Sequence, residues 1–175
     1  RRLTRLLGEF RQFGKETKLE CEALDLRELF RETVDKELIP TAGKAVDVVL
    51  SLPETLPEVH ANRDKLKQVL INLGKNAVEA MPDGGRLNFE VVAEVDTVAI
   101  SVSDTGAGIA DDVDIFQPFM TTKGDGTGLG LPVVRQIVEL HGGTIRYSSK
   151  LGTGTKFTIT LPLRPPSVVP EAPPA

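Results

Sequence analysis

Three stretches of the 175-residue chain place reactive or ligating groups at spacings that chemistry could use. Asp104-Thr105-Gly106-Ala107-Gly108 follows the strand-like run Ala99-Ile100-Ser101-Val102-Ser103. A carboxylate at a strand end is a strong hydrogen-bond acceptor, and two glycines let the backbone turn tightly beside a flat ligand. Gly126-Thr127-Gly128-Leu129-Gly130-Leu131 opens a helix. Glycines there permit close approach, and the free N–H groups at the positive end of the helix dipole suit phosphate. This is not a Walker A loop, because no Gly-Lys-Ser/Thr follows, and it does not follow a strand as a dinucleotide fingerprint does. Asn72 and Asn76 lie four apart and share a helix face. An amide carbonyl is a suitable ligand for Mg²⁺, which takes few protein ligands and completes its shell with phosphate and water. Each feature also has a plain structural explanation. DxGxG can be an ordinary surface turn, and asparagines often bond only to neighbouring loops.

The elements that must position these groups follow from periodicity. Residues 1–16 place Leu3, Leu6, Phe10 and Phe13 at 3-4-3 spacing, the seam of a coiled-coil-like helix. Two heptads cannot stand alone, and Gly8 and Gly14 each cost about 1 kcal/mol, so the segment reads as part of a longer helix that needs a partner. An amphipathic helix folded back on its own domain is the alternative. A linker over 17–24 leads to Asp25, the expected N-cap of a helix over 26–38. Residues 46–52 are rich in β-branched side chains, stop at Pro53, and read as a strand. Asn62 caps a long helix whose apolar face is Leu66, Val69, Leu70, Leu73, Ala77 and Ala80, broken by Pro82-Asp83-Gly84-Gly85.

Residues 87–94 and 98–103 alternate as a hairpin around Val95-Asp96-Thr97. The glycine-rich stretch 104–130 has little periodicity and is too long for an ordinary connection, so a functional lid is expected within 111–125. A helix over 131–141 stops at Gly142-Gly143, and strands over 144–149 and 155–161 close the unit. The last dozen residues are proline-rich and read as a disordered tail. This order predicts a two-layer α/β sandwich, a mixed sheet with helices on one face.

Composition narrows the function classes. Lys and Arg number 21 against 25 Asp and Glu, a net charge of −4, which argues against a broad nucleic-acid footprint. The single Cys21 excludes an internal disulfide framework and a cysteine-cluster zinc site. No apolar run approaches the ~18 residues that span a bilayer, and no signal peptide is visible. The chain therefore reads as a cytoplasmic piece. Because it starts at Arg1 rather than Met, any membrane anchor would belong to a longer parent.

Five segments occur in one order: Asn72-Leu73-Gly74-Lys75-Asn76-Ala77, Asp104-x-Gly106-x-Gly108, Phe116-Gln117-Pro118-Phe119, Gly126-Thr127-Gly128-Leu129-Gly130 and Gly152-Thr153-Gly154-Thr155. Together they resemble the N, G1, F, G2 and G3 boxes of the histidine-kinase catalytic domain, within the gyrase, chaperone, histidine-kinase and mismatch-repair ATPase superfamily. The resemblance covers residues 25–163. It implies the Bergerat ATP-binding fold, with ATP and Mg²⁺ as ligands. On that basis Asp104 would accept the adenine amino group, with Thr155 supporting the contact through water. Gly106 and Gly108 would shape the adenine pocket. Asn76 would ligate Mg²⁺, and Asn72 would line the same site. Gly126, Thr127, Gly128, Leu129 and Gly130 would meet the triphosphate. Lys123 is a candidate phosphate contact, with a solvated lysine as its alternative. Phe116 and Phe119 would pack the lid base.

The family transfers the γ-phosphoryl of ATP to a histidine on a dimerisation helix pair. The implied partners are that histidine-bearing domain, in a homodimeric parent, and a response regulator, with no nucleic acid. Residues 1–24 would then be the end of a dimerisation helix and its linker, 25–163 the catalytic domain, and 164–175 the tail. His60 and His141 lie off such a helix pair, so neither reads as the acceptor. Two departures from the pattern matter. The gyrase and chaperone branches carry a glutamate base four residues before the Mg²⁺ asparagine, where this chain has Asn72. Many kinases place a basic or aromatic residue three or four positions after that asparagine, where this chain has Glu79 and Ala80. Rival readings are a superfamily ATPase or serine kinase, such as an anti-sigma factor, and a nucleotide-sensing module that transfers nothing.

Overall fold

A computed structural model describes residues 19–43, 45–110, 114–119 and 128–166. The helix expected over residues 1–16 and most of the expected lid and tail lie outside these residues.

The chain enters through β1 (Glu22–Leu24), so the expected linker ends in a short strand. Asp25 then caps α1 (Leu26–Thr33), its Oδ1 accepting from the Arg27 N–H at 2.8 Å and the Glu28 N–H at 3.3 Å. A π-helical turn (Val34–Leu38) carries the helix into α2 (Ile39–Ala42), four residues beyond the expected end. Pro40 has no N–H to donate and would break a regular α-helix. The wider turn, closed by the Ile39 N–H on the Val34 carbonyl, accommodates it.

There follow β2 (Val46–Ser51), β3 (Val59–Ala61), α3 (Arg63–Glu79), β4 (Gly85–Ala93), β5 (Thr97–Asp104), α4 (Gly130–Leu140), β6 (Thr144–Lys150) and β7 (Gly154–Pro162). The main sheet runs β2-β4-β5-β7-β6, with β2 parallel to β4 and the remaining pairs antiparallel. It is the expected mixed sheet. β1 and β3 form a separate antiparallel pair, with Leu24 opposite Val59. Three-residue strands are too short to show a period, which is why neither was legible in the sequence.

One face of the sheet builds the core. Leu87, Phe89 and Val91 of β4 and Val98, Ile100 and Val102 of β5 alternate inward and are buried, matching the period of two in a strand. Phe30 of α1 meets Phe89 edge to face at 6.1 Å. Gly74, inside α3, lies under Leu38: a β-carbon there would come within 2.6 Å of the Leu38 side chain. Ion pairs of Arg63 with Glu28 and Glu32, and of Lys67 with Glu37, join α1 and its extension to α3. The Arg63 hydrogen bond, followed by Lys36, holds the Glu32 carboxyl below its ordinary value.

Candidate functional site

β5 delivers Asp104 to the edge of the helical layer, directly opposite Thr155 of β7 in the antiparallel register. Asp104 Oδ1 accepts from the Gly106 N–H at 2.9 Å, so the carboxylate closes its own turn. Gly106 is buried against the end of α3. A β-carbon there would lie 2.6 Å from the Ala80 carbonyl oxygen, which already accepts from the Ala107 N–H at 3.1 Å. Gly108 has φ 74°, and a β-carbon would lie 2.2 Å from the Lys150 carbonyl oxygen. Both turn glycines are therefore required by backbone approaching backbone, independently of any ligand.

Thr155 is buried. Its Oγ1 lies 2.8 Å from Ser149 Oγ. Ser149 donates to the Gly154 carbonyl at 3.0 Å and accepts from the Ile109 N–H at 2.8 Å. With the Ser149 hydrogen spent on Gly154, Thr155 is the donor of its pair, and its lone pairs are left to accept. Ser149 joins this network through the register of β6 with β7, and no motif announces it.

The second half of the site is built by α3 and α4. Asn72 and Asn76 are half-buried on α3. The start of α4 faces Asn76: among the described residues, a β-carbon on Gly130 would meet the Asn76 side-chain nitrogen at 4.0 Å and nothing nearer. The first turn of α4 presents N–H groups without helical partners, and Pro132 at its third position contributes none. Donors are thus concentrated at Gly130 and Leu131. Leu129 is buried just ahead of them, and Gly128 accepts from the Phe119 N–H at 3.0 Å. Lys123, Gly126 and Thr127 lie outside the described residues.

The two phenylalanines part ways. Phe116 packs edge to face on Tyr147 at 6.0 Å, as expected of a residue at the base of this segment. Phe119 is 60% exposed at φ 67°, and among the described residues its backbone rather than its ring makes the attachment.

His141 is 2% exposed. Its Nε2 accepts from the Asn62 N–H at 3.0 Å, which leaves the proton on Nδ1 to donate to the Ile137 carbonyl at 2.7 Å. The imidazole thus ties the end of α4 to the cap of α3, and burial pushes its pKa below the ordinary value. His60 is half-buried on β3, 3.8 Å from Glu58. Among the described residues no group of three His, Cys, Asp or Glu side chains converges, and no helix is long and apolar enough to cross a membrane.

Residues 61–165 match the family model described as histidine kinase-, DNA gyrase B-, and HSP90-like ATPase. The sensor histidine kinase ZraS of Escherichia coli K12 is 41% identical over 93% of the chain, which covers 35% of that relative. The chain therefore spans about a third of the length of this curated relative. The catalytic domain of histidine kinase ThkA superposes with a TM-score of 0.73 at 33% identity, over 84% of this chain and 98% of that one. ThkA in complex with the response regulator protein TrrA gives 0.77 at 30% identity, over 94% and 48%. Full-length ShkA in complex with AMPPNP gives 0.81 at 28% identity, over 91% and 35%.

Proposed function

The chain belongs to the histidine kinase-, DNA gyrase B- and HSP90-like ATPase family, and from that premise we propose that it is the ATP-binding catalytic region of a sensor histidine kinase. The supporting observation is the placement of two glycine turns at one helix. Gly106 is pressed on the last residues of α3, and Gly130 faces Asn76 one turn earlier on the same helix. A carboxylate and the first-turn N–H groups of a helix are thereby held at fixed separation, as a base at one end of a nucleotide and phosphates at the other require.

In this reading Asp104 accepts the adenine amino group, Thr155 supports it through water, and Gly106 and Gly108 shape the pocket. The N–H groups of Gly130 and Leu131 face the phosphates, joined by Gly126, Thr127, Gly128 and Leu129. The donor set fits a magnesium–nucleotide complex: one amide side chain beside an uncrowded glycine matches the few protein ligands that Mg²⁺ takes. Asn76 would hold the ion with Asn72 lining the site, and when bound it neutralises phosphate charge during phosphoryl transfer. The chain's own contribution is positioning. Asn72 has no basicity with which to activate water, which favours transfer over hydrolysis. Lys123 is proposed as a phosphate contact.

The acceptor is a histidine of a dimerisation domain in a homodimeric parent, for which residues 1–24 supply the helix end and linker. Residues 25–163 are the catalytic domain, 164–175 a tail, and a response regulator the onward partner. His141 is excluded as acceptor because it is buried with both nitrogens engaged.

The test mixes this chain with labelled ATP and the histidine-bearing helical domain of a similar kinase. Acid-labile, base-stable label should appear on the helical domain, with almost none on this chain. Strong labelling of the isolated chain that survives replacing both histidines would establish a serine kinase instead. ATP binding without transfer to any histidine domain would leave a nucleotide sensor.

A further inference from the structure

Residues 114–119 are attached to α4 and to the chain just ahead of it, and the attachments close a ring. Arg135, five residues into α4, lies over the face of Phe116 at 5.6 Å from the ring centroid. Its Nε donates to Glu139 Oε1 at 2.9 Å, which orients the guanidinium. The same phenyl ring meets Tyr147 of β6 at 6.0 Å and 70°, and Tyr147 in turn rests on Phe157 of β7 at 5.9 Å. Phe116 is thus clamped between α4 and the sheet. Three residues on, the Phe119 N–H holds the Gly128 carbonyl, two residues before α4 begins. Phe119 makes that bond in a left-handed backbone conformation, which a side chain with a β-carbon disfavours, so it needs an anchor nearby.

We propose that Arg135 is a positioning residue for the start of α4, acting through the Phe116 ring. The inference rests on the reading that this helix start receives the phosphates. Arg135 fixes Phe116, Phe116 fixes the backbone to Phe119, and Phe119 fixes the Gly128 carbonyl and with it the direction of the Gly130 and Leu131 N–H groups. The adenine side depends on the Asp104–Thr155 pair of β5 and β7 and on the end of α3, which the Arg135–Phe116 contact reaches only indirectly, through Tyr147 and Phe157. Its effect therefore falls on phosphate recognition and spares the base.

The experiment compares Arg135→Ala, Arg135→Lys, Phe116→Leu and the double variant Phe116→Leu/Arg135→Ala. Amide exchange without nucleotide reads the ring directly: Arg135→Ala should speed exchange of the Phe119 N–H. Binding of magnesium-ATP by calorimetry should weaken about two- to five-fold in Arg135→Ala, the size expected of one partly exposed cation–π contact. Adenosine binding by NMR titration should stay unchanged. Lysine keeps a cation over the ring, so Arg135→Lys should lie within two-fold of the parent, and the double variant should be no weaker than Phe116→Leu. Equal losses for ATP and adenosine, multiplying losses in the double variant, or unchanged Phe119 exchange would overturn the proposal. A parent chain that binds no adenine nucleotide would instead overturn the functional reading, with the exchange result still deciding whether the ring exists.

Discussion

Replacing His141 with Gln should remove a specific part of the acid sensitivity of this fold. In the folded chain Nε2 accepts from the Asn62 N–H and Nδ1 donates to the Ile137 carbonyl, so only the neutral imidazole fits. Protonation would set an N–H against an N–H inside a site that is 2% exposed. The folded pKa is therefore lowered from 6.5, with burial as the main cause and the Ile137 bond opposing it. The sign follows. Because the unfolded chain binds this proton more readily, His141 contributes stability that is complete above about pH 6.5 and is lost as pH falls toward the folded pKa. One proton limits the slope to about 1.4 kcal/mol per pH unit, so lowering the pH from 7.5 to 5.5 costs at most about 1.4 kcal/mol through this group.

Urea unfolding of both proteins at the two pH values isolates the effect, because His60 and every carboxylate are common to both. At pH 7.5 His141→Gln should be about 2–4 kcal/mol less stable, from two disturbed buried hydrogen bonds and an unsatisfied Asn62 N–H. Between pH 7.5 and 5.5 it should lose less stability than the parent, by up to the amount above. Identical pH dependences in the two proteins would refute the reasoning.

Asp104→Ala should weaken ATP binding about ten- to a hundred-fold, the loss of a charge-assisted hydrogen bond of roughly 1.5–3 kcal/mol, while GTP should bind the parent poorly because guanine offers a carbonyl at that position. Equal affinity for the two nucleotides by calorimetry would sink the assignment. Asn76→Ala should reduce the effect of Mg²⁺ on ATP affinity far more than the surface change Lys75→Ala, as read by titrations with and without the ion. Gly106→Ala should cost about 1–3 kcal/mol on denaturant unfolding, because its β-carbon meets backbone at Ala80. Gly152→Ala has open space around it and should cost about 1–2 kcal/mol, from its positive φ alone.

The long elements were determined by sequence. The periodicity of Leu66, Val69, Leu70 and Leu73 and the Asn62 cap define α3, and the alternations of β4 and β5 define the hairpin, because each pattern repeats often enough to be unambiguous. The glycines and Asp104 were also visible, as residue types whose geometry or charge needs a reason. Their reason was not. That Gly106 answers to Ala80, Gly108 to Lys150 and Gly130 to Asn76 depends on chain approaches across tens of residues, which no local pattern encodes. The helix extension through Pro40 required a π-turn, a tertiary adjustment that overrides a local breaker. Ser149 behind Thr155, His141 under Asn62 and Arg135 over Phe116 are single side chains of common types, and only strand register and helix packing could bring each to its partner.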